Sequence, residues 1–161
     1  MLVSRNELGR PSWKPILCSA QRARQNAGSM ADDRTPFALL GGAAKVHALI
    51  ERFYEVMFET EPALTKLHRT APDGRVDPGT RERFASFIVG WLGGPQDYIE
   101  QHGHPRLRMR HGRVKVDVAM RDAWLRCMQQ AMNDEQITGP VRNYLDGRFA
   151  EVADFMRNTE G

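Results

Sequence analysis

The chain has 161 residues, 41% apolar and 27% charged, with a formal net charge of +3 and two cysteines. That length supports one domain with a real core, and no apolar run approaches the roughly 20 residues needed to cross a bilayer, which argues against a membrane protein. Residues 1–29 carry Arg5, Arg10, Lys14, Arg22 and Arg24 against Glu7, a net of +4, so the remainder is at −1 and offers no basic fold for nucleic acid.

In chain order, residues 1–35 read as a disordered N-terminal extension and 36–159 as the folded domain. The opening segment lacks the long apolar stretch of a secretory signal, while its Arg-rich, acid-poor composition has something of a transit peptide; Met30 is an alternative start. Cys18 lies in this segment and Cys127 in a helical pattern. Such sparse use reads as reduced thiols of an intracellular, cytoplasmic protein with no disulfide framework.

From Ala44, Val46, Leu49, Ile50, Phe53 and Met57 recur at spacings of three and four, with Tyr54 beside them, which predicts a first main helix. "EPALTKLH" predicts a short helical turn and "RTAPDGRVDPGT" a loop. Asp77 as N-cap and Pro78 at the first helical position open a second helix, carried by Phe84, Phe87, Ile88 and Trp91 and ended by "GGP". "PQDYIEQHGHPRLRMRH" has room only for short helices, because Gly103 and Pro105 interrupt it. "GRVKVD" is a connector with room for extended backbone. Met120, Trp124, Cys127, Met128 and Ala131 predict a third main helix from Val118, and Val141, Tyr144, Leu145, Phe149, Val152 and Met156 a fourth. The fold class is all-α.

Three of the five histidines fall in "QHGHPRLRMRH". A helical zinc site needs ligands one turn apart, whereas His102 and His104 are two apart and point in different directions. "LLGGAAKV" and "WLGGPQDY" lack the preceding strand of a phosphate-binding glycine loop and read as helix-to-helix corners. A single imidazole suffices for heme iron, given an apolar cleft for the porphyrin faces. His111 suits that role at the end of a short stretch whose Arg106, Arg108 and Arg110 have the reach to meet heme carboxylates. Spacing alone leaves open the alternative of a surface histidine among solvated arginines.

The strings "LLGGAAKVHALIERFYEVM", "FIVGWLGGPQDYIEQHGHPRLRMRH" and "RDAWLRCMQQAM" resemble the group II truncated hemoglobins, bacterial-like globins built as a two-over-two helical sandwich around heme. The resemblance makes 36–159 a truncated globin domain and implies heme b as cofactor. By it, His111 is the proximal iron ligand, His102 and His104 are structural or surface residues, and Trp124 and Tyr54 are distal hydrogen-bond donors. His68 is placed as a third donor, with a solvent-facing role as the alternative. Phe53, Phe84, Phe87, Ile88 and Trp91 are implied to wall the heme, with core packing an equal alternative for any one of them, and Arg108 to contact it. Thr80 falls at the distal gate, where the group usually has Ala or Ser.

The function so implied is a heme globin that binds dioxygen, releases it slowly, and oxidises nitric oxide in the manner of a dioxygenase. The alternative is a peroxidase-type heme enzyme in which Tyr54 and Trp124 also carry radicals. Expected partners are dioxygen, nitric oxide and an unidentified reductase, with no nucleic acid and no membrane, in a monomer or homodimer. A globin-like module without heme is a more distant third reading.

Overall fold

A computed structural model describes residues 34–159. Residues 1–33, with Cys18 and nearly all of the expected extension, lie outside the described residues. The helices are α1 (Pro36–Leu40), α2 (Ala43–Thr60), α3 (Pro62–Thr65), α4 (Pro78–Trp91), α5 (Asp97–His102), α6 (Leu107–His111), α7 (Val118–Asp134) and α8 (Gly139–Met156). The four expected main helices are α2, α4, α7 and α8.

Local chemistry sets the starts. The Thr35 hydroxyl accepts the Ala38 N–H at 3.1 Å, and Pro36, which has no N–H to satisfy, follows it. Asp77 accepts the Thr80 N–H at 3.0 Å, with Pro78 next. Asp117 accepts the Met120 N–H at 2.9 Å, and that bond holds its carboxyl below the usual carboxylate range.

α2 packs on α4 and on α7, and α7 packs on α8, so two helix pairs are layered through α2 and α7. This is the two-over-two sandwich. Its core is the apolar face of α2 (Val46, Leu49, Ile50, Phe53, Met57) set against Cys127, Met128 and Met132 of α7 and Leu145 and Phe149 of α8. Each such side chain contributes roughly 1.5–3 kcal/mol on burial.

The glycine pairs make the corners. Gly41 ends α1 at φ 110° and donates its N–H to the Ala38 carbonyl at 3.1 Å, a conformation that side chains rarely adopt. At the other corner a Cβ on Gly94 would stand 2.8 Å from the Phe37 ring, so glycine is what lets α1 approach the end of α4.

One feature differs from expectation: α1 is a helix where none was foreseen, five residues being too few to show a period. "GRVKVD" is the connector expected, and the sole bridge pairing among the described residues joins Thr70 to Val76. Its backbone groups are met by Asn158 instead, whose side chain accepts from Val116 N at 2.9 Å and donates to the Val114 carbonyl at 2.8 Å.

Candidate functional site

Gly103 ends α5 and Pro105 precedes the short α6, where Arg106 takes a left-handed φ of 44°. α6 has no buried residue, and Met109 is 69% exposed. Its packing partner is α8, and Asn158 donates a further bond to the His111 carbonyl at 3.2 Å. The His111 ring donates from Nδ1 to the Leu107 carbonyl at 2.8 Å. A carbonyl can only accept, so Nδ1 carries the proton and Nε2 keeps a lone pair. That is the tautomer a metal-binding imidazole requires.

His111 stands on the rim of a cavity of about 280 Å³. Its walls are Leu64, Leu67 and His68 from α3 and the loop after it, Phe84 and Phe87 from α4, and Leu107 from α6. Val114 and Val116 of the connector, Met120 and Trp124 of α7, and Val152, Ala153 and Met156 of α8 complete the apolar surface. Arg110 and Arg121 are its permanently charged members; Arg121 is itself tied to Asp154 and Asp122 at 2.8 Å each. The volume lies at the lower edge of the roughly 300–1,000 Å³ typical of small-molecule sites.

Trp124 is held by three rings, at centroid distances of 5.3 Å to Phe53, 6.5 Å to Phe84 and 5.8 Å to Phe149. Such edge and tilted contacts fix the indole plane. Phe84 in turn stacks on Phe87 at 6.5 Å.

Of the residues singled out in the sequence, His68, Phe84, Phe87, His111 and Trp124 share the lining. Phe53 and Tyr54 sit one layer behind it: Phe53 touches Phe84 and Trp124, and Tyr54 touches Phe84 and His68 at 6.0 and 5.7 Å. Burial raises the Tyr54 phenol well above its ordinary value, so it stays protonated. Ile88 is core. Trp91 stacks on Phe149 at 5.4 Å, outside the lining, with the Arg148 guanidinium 5.7 Å from its ring. Arg108 also points elsewhere, its guanidinium 5.1 Å from the Phe155 ring, and Arg110 is the arginine of α6 that reaches the cavity. Thr80 lies off the lining, where its hydroxyl donates to Asp77 at 3.1 Å.

His68 is anchored at one ring nitrogen. Its Nδ1 donates to the Leu64 carbonyl at 3.0 Å, so the neutral ring has no second N–H and offers Nε2 as an acceptor. Burial holds its pKa below the ordinary imidazole value, against the opposing effect of the Leu64 bond. The donor role expected of His68 belongs to the protonated ring, both of whose nitrogens carry N–H.

Residues 35–158 match the model of the bacterial-like globin family. The chain is 33% identical over 117 residues to the group 2 truncated hemoglobin YjbI of Bacillus subtilis (strain 168), covering 73% of this chain and 84% of that protein. Among solved structures, the group II truncated hemoglobin from Bacillus anthracis superposes with a TM-score of 0.72 at 33% identity, over 80% of this chain and 99% of that one. A truncated oxygen-avid haemoglobin from Bacillus subtilis gives 0.69 at 32% identity, over 78% and 100%. The helix layering, the His111 imidazole on an apolar cavity and these likenesses agree, and the chain belongs to the bacterial-like globins as a group II truncated hemoglobin, a family that implies heme and the binding of dioxygen.

Proposed function

We infer that this globin holds heme b through His111, retains dioxygen with slow release, and uses it to oxidise nitric oxide to nitrate. One observation carries the reading: His111 and Trp124 face a single apolar cavity, the first with a free Nε2 lone pair and the second with its ring locked by Phe53, Phe84 and Phe149.

The donor set fits an iron porphyrin on its own chemistry. Phe84, Phe87, Leu107, Met120 and Val152 supply apolar surface for a flat macrocycle, Arg110 and Arg121 supply charge suited to its carboxylates, and His111 supplies one imidazole ligand. When bound, heme would supply the iron chemistry that binds diatomic ligands, and His111 would be the residue of this chain that holds it.

Trp124 Nε1–H is the donor on the lining for such a ligand. Tyr54, kept protonated by burial, is a second donor behind His68 and Phe84. A hydrogen bond to a charged acceptor is worth roughly 1.5–3 kcal/mol, so two acting together would slow escape by about two to four powers of ten. The oxygen-avid character of the Bacillus subtilis relative supports the same direction. Oxidation of nitric oxide by dioxygen to nitrate takes up one electron per turnover, which a partner reductase supplies.

The test compares absorption spectra of the wild type and His111→Ala in ferric, ferrous and oxygenated forms. An intense Soret band in the wild type, with axial coordination altered in the variant, is expected. A wild type that takes up no heme, or a variant with unchanged axial coordination, overturns the reading.

A further inference from the structure

We propose that α6 and the segment after it, residues 103–116, form the docking surface for an acidic one-electron carrier protein that reduces this globin. The proposal rests on the heme reading above and deepens it, naming the chemistry of the reductase and the place where it binds.

Charge singles out this surface. Residues 103–116 hold Arg106, Arg108, Arg110, Arg113 and Lys115 and no carboxylate, whereas the other described residues carry thirteen lysines and arginines against sixteen carboxylates. All five cations are exposed. Elsewhere most cations are engaged within the fold, as Lys45 is with Glu135 at 2.8 Å and Arg126 with Glu61 at 2.6 Å. Arg106, Arg110 and Arg113 form no ion pair among the described residues, and Lys115 has only Asp117 at 3.4 Å. Met109 stands among these arginines and is 69% exposed, more than any other large apolar side chain described. Methionine and arginine are residues enriched in protein interfaces.

Place and charge together select the occupant. Leu107, Arg110 and His111 of α6 line the cavity while the helix buries no residue, so a protein lying on it is separated from the cavity by that one helix, about 10–12 Å across. Oxidation of nitric oxide calls for one electron per turnover; the carrier loses that electron to ferric heme, and no bond or proton is transferred. An acidic face on the carrier meets the cations and speeds encounter by about 10–10³. Residues 1–29 of this chain carry five cations against one carboxylate, and a second copy presenting the same surface brings five more cations, so both are repelled. A helix that lies on lipid buries several large apolar side chains, whereas α6 exposes Met109 alone.

Two acidic carriers, a plant-type ferredoxin and a flavodoxin, each reduced beforehand, are mixed with the heme-loaded ferric full chain by stopped flow at about 0.15 M salt. Arg113→Glu combined with Lys115→Ala is the variant, both positions lying off the cavity lining. Reduction by both carriers is expected to slow about 10-fold or more in the variant, and comparably in the wild type at about 1 M salt, where the screening length falls to about 3 Å. Carbon monoxide association with the ferrous form stays within about threefold. Amide shifts of the isotope-labelled carbon monoxide form, titrated with oxidised flavodoxin, are expected in residues 103–116. Carrier rates within about threefold of wild type in the variant overturn the proposal, as do an equal slowing of carbon monoxide or shifts confined to another surface. So does salt-sensitive binding to phosphatidylglycerol vesicles or duplex DNA by a chain that neither carrier reduces. A heme-loaded chain that fails these tests defeats this inference alone, whereas a wild type that never takes up heme defeats the proposed function with it.

Discussion

Replacing Gly94 with alanine tests how the corner after α4 closes. The new Cβ would lie 2.8 and 2.9 Å from two Phe37 ring carbons and 2.9 Å from the Val89 carbonyl oxygen, against an ordinary contact of 3.4–4 Å. The ring has room to tilt only at the expense of its packing beside Gly42. The Val89 oxygen is fixed, because it accepts the Gly94 N–H at 2.9 Å. Overpacking of this kind costs about 1–3 kcal/mol, and alanine's stiffer unfolded chain returns about 0.4–1 kcal/mol. A net loss of about 1–2 kcal/mol is expected in urea denaturation followed by circular dichroism, with an unchanged m value. Gly147→Ala is the matched control: inside α8, with nothing within 4 Å of its Cβ, it should gain about 0.5–1 kcal/mol. In a Phe37→Leu background the Gly94 penalty should shrink. Should Gly94→Ala prove as stable as Gly147→Ala in the same cofactor state, the steric account of the corner is wrong.

Trp124→Phe removes the indole N–H while keeping a ring against Phe53, Phe84 and Phe149, and should raise the oxygen dissociation rate of the ferrous protein about 10–100-fold; laser photolysis or rapid mixing reads it. Asp77→Ala leaves the Thr80 N–H without its side-chain acceptor and should cost about 0.5–2 kcal/mol in the same urea assay. Burial pushes the Cys127 thiol up to about 11 against an opposing bond with Thr60, so in a Cys18→Ser background it should resist a disulfide reagent at pH 8 and react promptly on unfolding.

The four long helices were legible because each buries one face for three turns or more, and a period of three and four survives any local irregularity. Asp77 with Pro78 was legible as a start for the same kind of reason, being a contact between neighbours. Thr35 with Pro36 carries an identical signal, which would have located α1. The fastening of the connector at 112–117 was not legible, since its partner is Asn158, more than forty residues away and itself unremarkable in sequence. In the site, His111 and Trp124 were legible through the family resemblance, since spacing alone left a surface histidine open, and Phe84 and Phe87 through the face of α4. Arg108 and Arg110 could not be told apart, because Phe155, which draws Arg108 aside, is distant in sequence. The acceptor role of His68 turns on a single ring nitrogen meeting the Leu64 carbonyl, a choice between tautomers that no spacing records.

Asn158 binds the carbonyl of the candidate ligand histidine and both sides of the segment that follows it, in a helix that buries nothing of its own. During synthesis, this fastening is absent until position 158 has left the ribosome, two residues after the end of α8. The segment that carries His111 is thereby fastened only together with the last sandwich helix, at the end of translation.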